Sequence, residues 1–225
     1  MDAAEMNILE HLPQEMIVEI LSRVGSSSCI QLFSAKTICK SFLMFSEDPL
    51  VVKRISLDNY STVPWGNTMV SFYNRCLLSG NPQAIFRLGL HLYFDAKDIQ
   101  LGLQKIKEDT NHKLLESFYV YGLNMFASNQ NEAKNIGLEM LNQTFSAENL
   151  DLVVAVRSKV FAMLRDSWKT NRQPFTDLAT HCPLTCHKPY LPHRHVFELY
   201  LPIQECMSCF WSYELTVWKD HFGYN

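Results

Sequence analysis

The stretch Leu12–Phe45, LPQEMIVEILSRVGSSSCIQLFSAKTICKSFLMF, decides how the fold begins and indicates successive short helices. Pro13 suits a first helical turn because its ring fixes φ and its missing N–H needs no partner there, and Glu15 faces the positive end of the helix dipole. Gly25 is expected to end this helix. Its apolar residues recur at helical spacing and predict one stripe that must be covered. They are Met16, Ile17, Ile20, Leu21 and Val24.

The second half of the stretch predicts a helix that is apolar over more than one stripe. Ser28 and Gln31 have the spacing of a capping box at its start. The apolar positions that follow are Ile30, Leu32, Phe33, Ala35, Ile38, Cys39 and Phe42. Such a helix has two faces to cover. The apolar stripes alone are also compatible with an alternative, a helical hairpin that packs only against other parts of the same protein.

The ordered patterns L-P-x-E, E-I-L-S-R-V and K-x-x-C-K-x-F in this stretch resemble the F-box family. The resemblance implies an F-box over residues 8–57 that docks on a Skp-type adaptor and, through it, on a cullin-based ubiquitin ligase. It carries over the adaptor-binding positions Leu12, Pro13, Ile17, Ile20, Leu21, Val24, Cys39 and Phe42. A subunit of this kind breaks no bond itself but tethers a target.

Composition limits the classes of partner. A hydrophobic content of 47% in 225 residues predicts a packed core. The formal net charge of −3 offers no broad cationic surface, which disfavours nucleic-acid binding. No apolar run approaches the roughly 18 to 20 residues needed to span a bilayer, and the N-terminal segment lacks the pattern of a secretory signal. The expected location is the cytoplasm, the nucleus or both, with no membrane partner.

An internal repeat runs through the middle of the chain. The segment FRLGL at 86–90 returns as YVYGL at 119–123 after 33 residues, and GLQKI at 102–106 returns as GLEML at 137–141 after 35 residues. Glycine inside a helix costs about 1 kcal/mol relative to alanine, so four glycines at matching places need a packing reason. Close approach of neighbouring helices supplies one.

The spacing A-x-x-x-L-G-x-x-x-Y, which begins at Ala84 and ends at Tyr93, resembles Sel-one-like repeats, relatives of tetratricopeptide repeats. A degenerate copy begins at Ser117, and Leu150–Leu164 is expected to supply the first helix of a third unit. We therefore predict a short α-solenoid over residues 67–168. Stacked helical hairpins leave a concave face on which a peptide or partner protein can lie, although the repeats could equally be a spacer.

Cysteine and histidine are concentrated near the C-terminus. Cys182 and Cys186 form a C-x3-C pair, and 19 residues separate Cys186 from the C-x2-C pair Cys206 and Cys209. Two such pairs can converge on one tetrahedral ion, and zinc prefers thiolate and imidazole ligands. We expect one structural zinc ion. The histidines that could replace a cysteine ligand are His181, His187, His193 and His195; four buried thiols are the alternative.

The order of elements in this tail resembles a treble-clef zinc module over residues 178–225. Residues 195–201 are β-rich and predict a strand, and the aromatic segment after Cys209 is a helix or a buried strand, of which we favour the helix. The chain as a whole resembles plant F-box proteins with Sel-one-like repeats and a C-terminal MYND zinc finger, but four tail cysteines suffice for one ion only. Cys29, Cys39 and Cys76 lie within helical stripes and are expected to be small core residues.

The fold class expected from these segments is mainly α, with N-terminal F-box helices, a short solenoid and a small β/α zinc module. An enzyme is disfavoured because the sequence has no Gly-rich phosphate loop, no G-x-S-x-G and no H-E-x-x-H. A RING-type ligase would need eight metal ligands in a recognisable order. The predicted function is a substrate-recognition subunit of a Skp–cullin–F-box ligase, with a target held by the repeats, the zinc module or both; the alternative is a zinc-stabilised interaction scaffold outside any ligase.

Overall fold

A computed structural model describes residues 12–60, 67–94, 98–145, 149–166 and 206–222, and every regular element in these residues is a helix. The predicted mainly helical fold is confirmed. The chain divides into two compact units, Met1–Arg87 and Leu88–Asn225, and the division falls inside one helix. The helices are α1 (Gln14–Ser27), α2 (Cys29–Ala35), α3 (Lys40–Phe45), α4 (Pro49–Arg54), α5 (Asn67–Leu78), α6 (Pro82–Phe94), α7 (Ile99–Thr110), α8 (Leu115–Phe126), α9 (Asn131–Thr144), α10 (Leu150–Asp166) and α11 (Met207–Phe222).

Helix α1 begins where the sequence predicts but ends later. Pro13 precedes its first residue and accepts a hydrogen bond on its carbonyl from the backbone N–H of Met16 (3.0 Å), and Glu15 lies in the first turn. The expected end at Gly25 is wrong, because α1 continues to Ser27. Gly25 is buried where a Cβ would lie 3.2 Å from Cγ1 of Ile55. This glycine therefore serves close packing within the helix rather than its termination.

The single helix expected after Ser28 is two helices, α2 and α3. The Ser28 hydroxyl accepts a hydrogen bond from the backbone N–H of Ile30 (3.2 Å) and caps α2. A turn follows at 36–38, and Cys39 has extended backbone angles immediately before α3. This break explains the excess of apolar positions, since two short helices turn different sides to the core.

The N-terminal helices share one core with α5 and the first turns of α6. Leu21, Leu32 and Leu57 are fully buried there, together with Cys76 from α5. The segment Leu50–Leu57 is helical to Arg54, and Ile55 has extended backbone angles.

Buried polar side chains at the start of α6 fix the extended segment that follows α4. The Asn81 amide donates to the carbonyls of Val52 (3.0 Å) and Ile55 (2.8 Å), while its oxygen accepts from the N–H of Ala84 (3.1 Å). The Arg87 guanidinium donates to the carbonyls of Leu57 and Tyr60. Backbone carbonyl groups that accept no helical hydrogen bond are thus hydrogen-bonded to side chains inside the protein.

The repeat predicted from the four glycines is a pair of helical hairpins, α6–α7 and α8–α9. A Cβ on Gly89 would lie 2.7 Å from the Ile106 side chain, and one on Gly122 would lie 2.7 Å from the Leu141 side chain. The other two glycines face the backbone of the neighbouring helix. A Cβ on Gly102 would lie 2.5 Å from the backbone nitrogen of Tyr93, and a Cβ on Gly137 would lie 2.5 Å from the backbone nitrogen of Phe126. The residues that these Cβ atoms would approach are separated by the same numbers of positions as the repeated segments. Tyr93 and Phe126 are 33 positions apart, and Ile106 and Leu141 are 35 positions apart. The packing reason expected for these glycines is therefore confirmed.

Helix α10 supplies the third unit's first helix, as predicted, and packs on α8. Helix α11 confirms the helical interpretation of the segment after Cys209. Its Phe210, Trp211, Leu215 and Trp218 are buried, and the rings of Trp211 and Trp218 contact aromatic rings of the repeats. This part of the expected zinc module is thus integrated with the solenoid, whereas the predicted strand at 195–201 lies outside the described residues.

Candidate protein-interaction surfaces

The N-terminal unit keeps part of the predicted adaptor-binding set inside its own core. Ile17, Leu21 and Phe42 are 3%, 0% and 6% exposed. In the isolated chain these three side chains hold α1 and α3 against the rest of the unit, and their contact with an adaptor stays a prediction. Helical spacing alone could not separate the two roles, because a core stripe and a docking stripe are both apolar.

The remaining five predicted positions reach the surface to different degrees. Pro13 is exposed, while Leu12, Ile20, Val24 and Cys39 are half-buried. Leu12, Val24 and Cys39 also pack against the core cluster. These positions can therefore contact a partner only along their exposed edges.

A second apolar set, which the sequence patterns did not single out as adaptor-binding, is more exposed. It occupies α1, α2, the turn after α2, α3 and the start of α4, and half or more of each side chain is accessible. Its members are Met16, Ile30, Ile38, Leu43, Met44 and Leu50. Large apolar side chains concentrated on short consecutive elements mark an interaction surface more reliably than scattered ones do. The available signal was the surplus of apolar positions in the segment 30–45.

Ion pairs lie within and between these elements. The Glu19 carboxylate pairs with Arg23 (2.9 Å) on α1 and with Arg54 (3.1 Å) at the end of α4. The Glu47 carboxylate pairs with Lys36 (2.6 Å). The hydrogen bond and charge of Arg23 lower the pKa of Glu19.

The second unit brings α11 against residues of α6, α8 and α10, which we call the inner groove. The groove's aromatic wall consists of Phe94, Tyr119 and Phe161, whose ring centroids lie 6.0, 6.0 and 5.1 Å from that of Trp218. Phe145, which follows α9, lies 5.8 Å from Trp211. The helix α11 of the chain itself thus covers these residues of the repeats.

A buried polar cluster lies in the middle of this contact. The Tyr119 hydroxyl donates to one carboxylate oxygen of Glu214 (2.7 Å), and Arg157 donates to the other (2.5 Å). The indole N–H of Trp218 donates to the Tyr119 oxygen (2.9 Å). Glu214 is fully buried. Burial raises the pKa of Glu214, and the Arg157 charge opposes that rise. Burial also raises the pKa of Tyr119 well above its ordinary value.

A further acidic pair lies at the junction of α7 and α8. Asp109 is fully buried and accepts a hydrogen bond from the Ser117 hydroxyl. Burial raises the pKa of Asp109 to about 7, a rise that the Ser117 hydrogen bond opposes and the nearby Glu116 supports. Glu116 itself pairs with Lys159 of α10 (2.5 Å).

The expected zinc ligands are only half described. Cys206 immediately precedes α11 and Cys209 lies in its first turn, where the Cys206 carbonyl accepts from the N–H of Phe210 (3.1 Å). Two cysteine sulfur atoms on one helical turn are chemically suited to provide two of the four ligands of a tetrahedral zinc site. Cys182, Cys186 and the four candidate histidines lie outside the described residues, and the described part of the chain contains no group of three or more candidate metal ligands.

Comparisons with known proteins agree with the repeats and with the N-terminal pattern. Residues 58–165 match a family model described as plant tetratrico peptide repeats. An Arabidopsis thaliana protein provisionally described as an F-box protein is 28% identical over 76% of this chain and 59% of its own length. A second Arabidopsis F-box protein is 25% identical over 57% of this chain and 79% of its own length.

The chain is a helical-repeat protein similar to plant F-box proteins. It spans less than two thirds of the length of the first relative. No match was found among solved structures. No helix in the described residues is both long and apolar enough to cross a membrane.

Proposed function

We propose that this chain is the target-binding subunit of a Skp–cullin–F-box ubiquitin ligase. The N-terminal unit would bind the Skp-type adaptor, and the repeat unit would hold the target. The observation that carries the proposal is the exposed apolar set on α1 to α4, which comes from the segment that also carries the L-P-x-E and C-K-x-F patterns. Similarity to two plant F-box proteins supports the same partner class.

The contribution of such a subunit is proximity rather than chemistry. Such a subunit holds a target beside a ubiquitin-charged enzyme that another part of the assembly carries. This raises the effective concentration of the target to the millimolar range and requires no catalytic group on this chain. We therefore propose that the chain is not an enzyme. We also propose a cytoplasmic or nuclear location, which a fluorescent fusion would test.

Adaptor binding is tested with two surface variants of the full chain. Leu43→Asp combined with Met44→Asp places charges in the exposed set, and Leu12→Ala combined with Pro13→Ala truncates the start of the docking segment. Loss of interface anchors costs about 2–4 kcal/mol each, so affinity for a purified plant Skp-type adaptor should fall by about 30-fold or more.

Leu78→Asp is the matched control, because Leu78 has the most exposed large apolar side chain among the described residues of the same unit and lies on α5. It should leave adaptor affinity unchanged. Circular dichroism and thermal unfolding check that all variants fold. Undiminished affinity in both surface variants, or no binding by the wild-type chain, would refute the docking proposal and favour a scaffold that works without a ligase.

We further propose one structural zinc ion held by Cys182, Cys186, Cys206 and Cys209. The support is the cysteine spacing and the position of Cys206 and Cys209 on one turn at the start of α11. When bound, zinc would tie residues near 182–186 to the start of α11 and would have no catalytic role, since four protein ligands leave no open position.

A further inference from the structure

The exposed apolar set on α1 to α4 contains two methionines, Met16 and Met44, whose side chains are 50% and 63% exposed. Five further methionines lie in the described residues, and each of them is half-buried or buried. They are Met69, Met125, Met140, Met163 and Met207. The most accessible thioether groups of the described residues therefore lie within the surface that we propose for adaptor binding.

An accessible thioether group reacts with hydrogen peroxide. A lone pair of the methionine sulfur attacks one peroxide oxygen, the O–O bond breaks, and the products are methionine sulfoxide and water. The sulfur gives up two electrons, which the peroxide gains. The reaction replaces a flexible apolar side chain by a polar one, and reductases that are specific for each of the two sulfoxide epimers reverse it.

The position of the two methionines determines what oxidation changes. Met16 lies on α1 and Met44 on α3, so oxidation adds a polar oxygen to two separate elements of the exposed set. In the free chain each oxygen keeps contact with water, because half or more of each side chain is exposed. At an apolar interface the same oxygen loses that water and gains no hydrogen bond in return, which is unfavourable. Oxidation therefore opposes docking more than it opposes folding.

We propose that Met16 and Met44 are sites of reversible oxidation by hydrogen peroxide, and that their oxidation blocks binding of the Skp-type adaptor. The oxidant acts on the free chain, since a bound adaptor would cover both side chains. This inference rests on the adaptor docking proposed above and adds to it a regulation by peroxide.

The first measurement follows oxidation of the free, full-length chain without any adaptor. The protein is treated with increasing amounts of hydrogen peroxide, and mass spectrometry after proteolysis quantifies the sulfoxide at each methionine. Met16 and Met44 should be oxidised at least about fivefold faster than Met163, which is 7% exposed. The Tm should stay unchanged at the dose that oxidises the two exposed methionines. Equal rates at all three residues would remove the site assignment.

The second measurement is the affinity of the oxidised chain for a purified plant Skp-type adaptor. It should be at least about tenfold weaker than that of the untreated chain, because each sulfoxide oxygen is buried without a partner. Treatment with both methionine sulfoxide reductases should restore the affinity. Dithiothreitol without the reductases should not restore it, which separates the sulfoxides from a reversibly oxidised thiol such as that of Cys39.

Met16→Leu combined with Met44→Leu is the matched variant. Leucine has a similar volume, keeps both positions apolar and has no sulfur to oxidise. This variant should bind the adaptor within about threefold of the wild-type affinity and should keep that affinity after peroxide treatment. Met69→Leu is the control, because it removes a half-buried methionine from α5 of the same unit and should leave the peroxide sensitivity in place.

Three results of the binding measurements would overturn the proposal. Undiminished affinity of a chain that is oxidised at both methionines would show that the sulfoxides do not block docking. Loss of affinity in the peroxide-treated leucine variant would assign the effect to another residue. Absence of adaptor binding by the untreated wild-type chain would refute the docking proposal and the regulation with it, whereas the order of methionine oxidation, which is measured without adaptor, would be unaffected.

Discussion

Replacing Gly137 by alanine should destabilise the second hairpin, although alanine is the better helix former. The new Cβ would lie 2.5 Å from the backbone nitrogen of Phe126, 2.7 Å from the carbonyl oxygen of Gly122 and 2.9 Å from the carbonyl carbon of Met125. Carbon atoms pack at about 3.5–4.0 Å, so α8 and α9 must separate by roughly 1 Å. No side-chain rotation can relieve this clash, because all three atoms belong to the backbone.

The net effect is the difference between two opposing terms. Overpacking costs about 1–3 kcal/mol, and the upper end applies here because two helices must shift. Alanine recovers about 1 kcal/mol of helix propensity relative to glycine. The free energy of unfolding should therefore fall by about 2 kcal/mol, which corresponds to a decrease in Tm of about 4–8 °C for a chain of this size. Urea titration followed by circular dichroism measures the first quantity, and thermal melting the second.

Gly122→Ala is the matched control on the facing helix. Its Cβ would meet only the Leu141 side chain, at 2.7 Å, and that side chain can move. Its cost should be smaller, and a double-mutant cycle with Leu141→Ala should show a favourable coupling of at least 1 kcal/mol. Phe126→Ala should give Gly137→Ala no such rescue. A Gly137→Ala protein as stable as the wild type would refute the close helix approach on which the repeat assignment depends.

Three further predictions concern two buried polar groups and the proposed zinc ligands. Burial raises the pKa of Asp109 to about 7, against about 3.9 in an unfolded chain. The Asp109 carboxyl therefore stabilises the fold at low pH, and this stabilisation is lost as the pH rises from about 4 to 7. In a plot of unfolding free energy against pH, Asp109→Asn should flatten the curve between these two values. Asn81→Ala should cost about 3 kcal/mol in urea unfolding because it removes three buried hydrogen bonds, and an unchanged midpoint would contradict that role. Native mass spectrometry should find one zinc ion per chain, and Cys206→Ser with Cys209→Ser should abolish it; retention of zinc in the double variant would exclude this pair as ligands.

The repeat could be predicted in detail because its signal is both local and periodic. Glycine inside a helix is unfavourable unless another helix approaches closely, so four glycines with matching offsets identified the hairpins and their contact points. The third unit's first helix followed from a plain apolar stripe over 150–164. The break between α2 and α3 was missed, since the turn at 36–38 contains neither glycine nor proline and leaves the apolar spacing almost helical.

Burial in the N-terminal segment could not be assigned in the same way. Leu21 and Leu43 are both leucines on short helices, yet the first is fully buried and the second is 54% exposed. Their difference depends on where α4 and α5 pack, and those helices begin at residues 49 and 67. The inner groove was hidden for the same reason, because Tyr119, Arg157 and Glu214 are separated by 38 and 57 positions in sequence.

The order of residues alone determined that this chain is built mainly from helices, where α1, α2 and α10 begin, and which glycines must lie at helix crossings. These features depend on hydrogen bonds and side-chain spacing within a few turns, so a short window of sequence contains their cause. Only the tertiary structure decided which leucines face solvent and that the C-terminal helix fills the groove of the repeats. Burial and charge pairing depend on side chains brought together from distant segments, and no local pattern records which segments will meet.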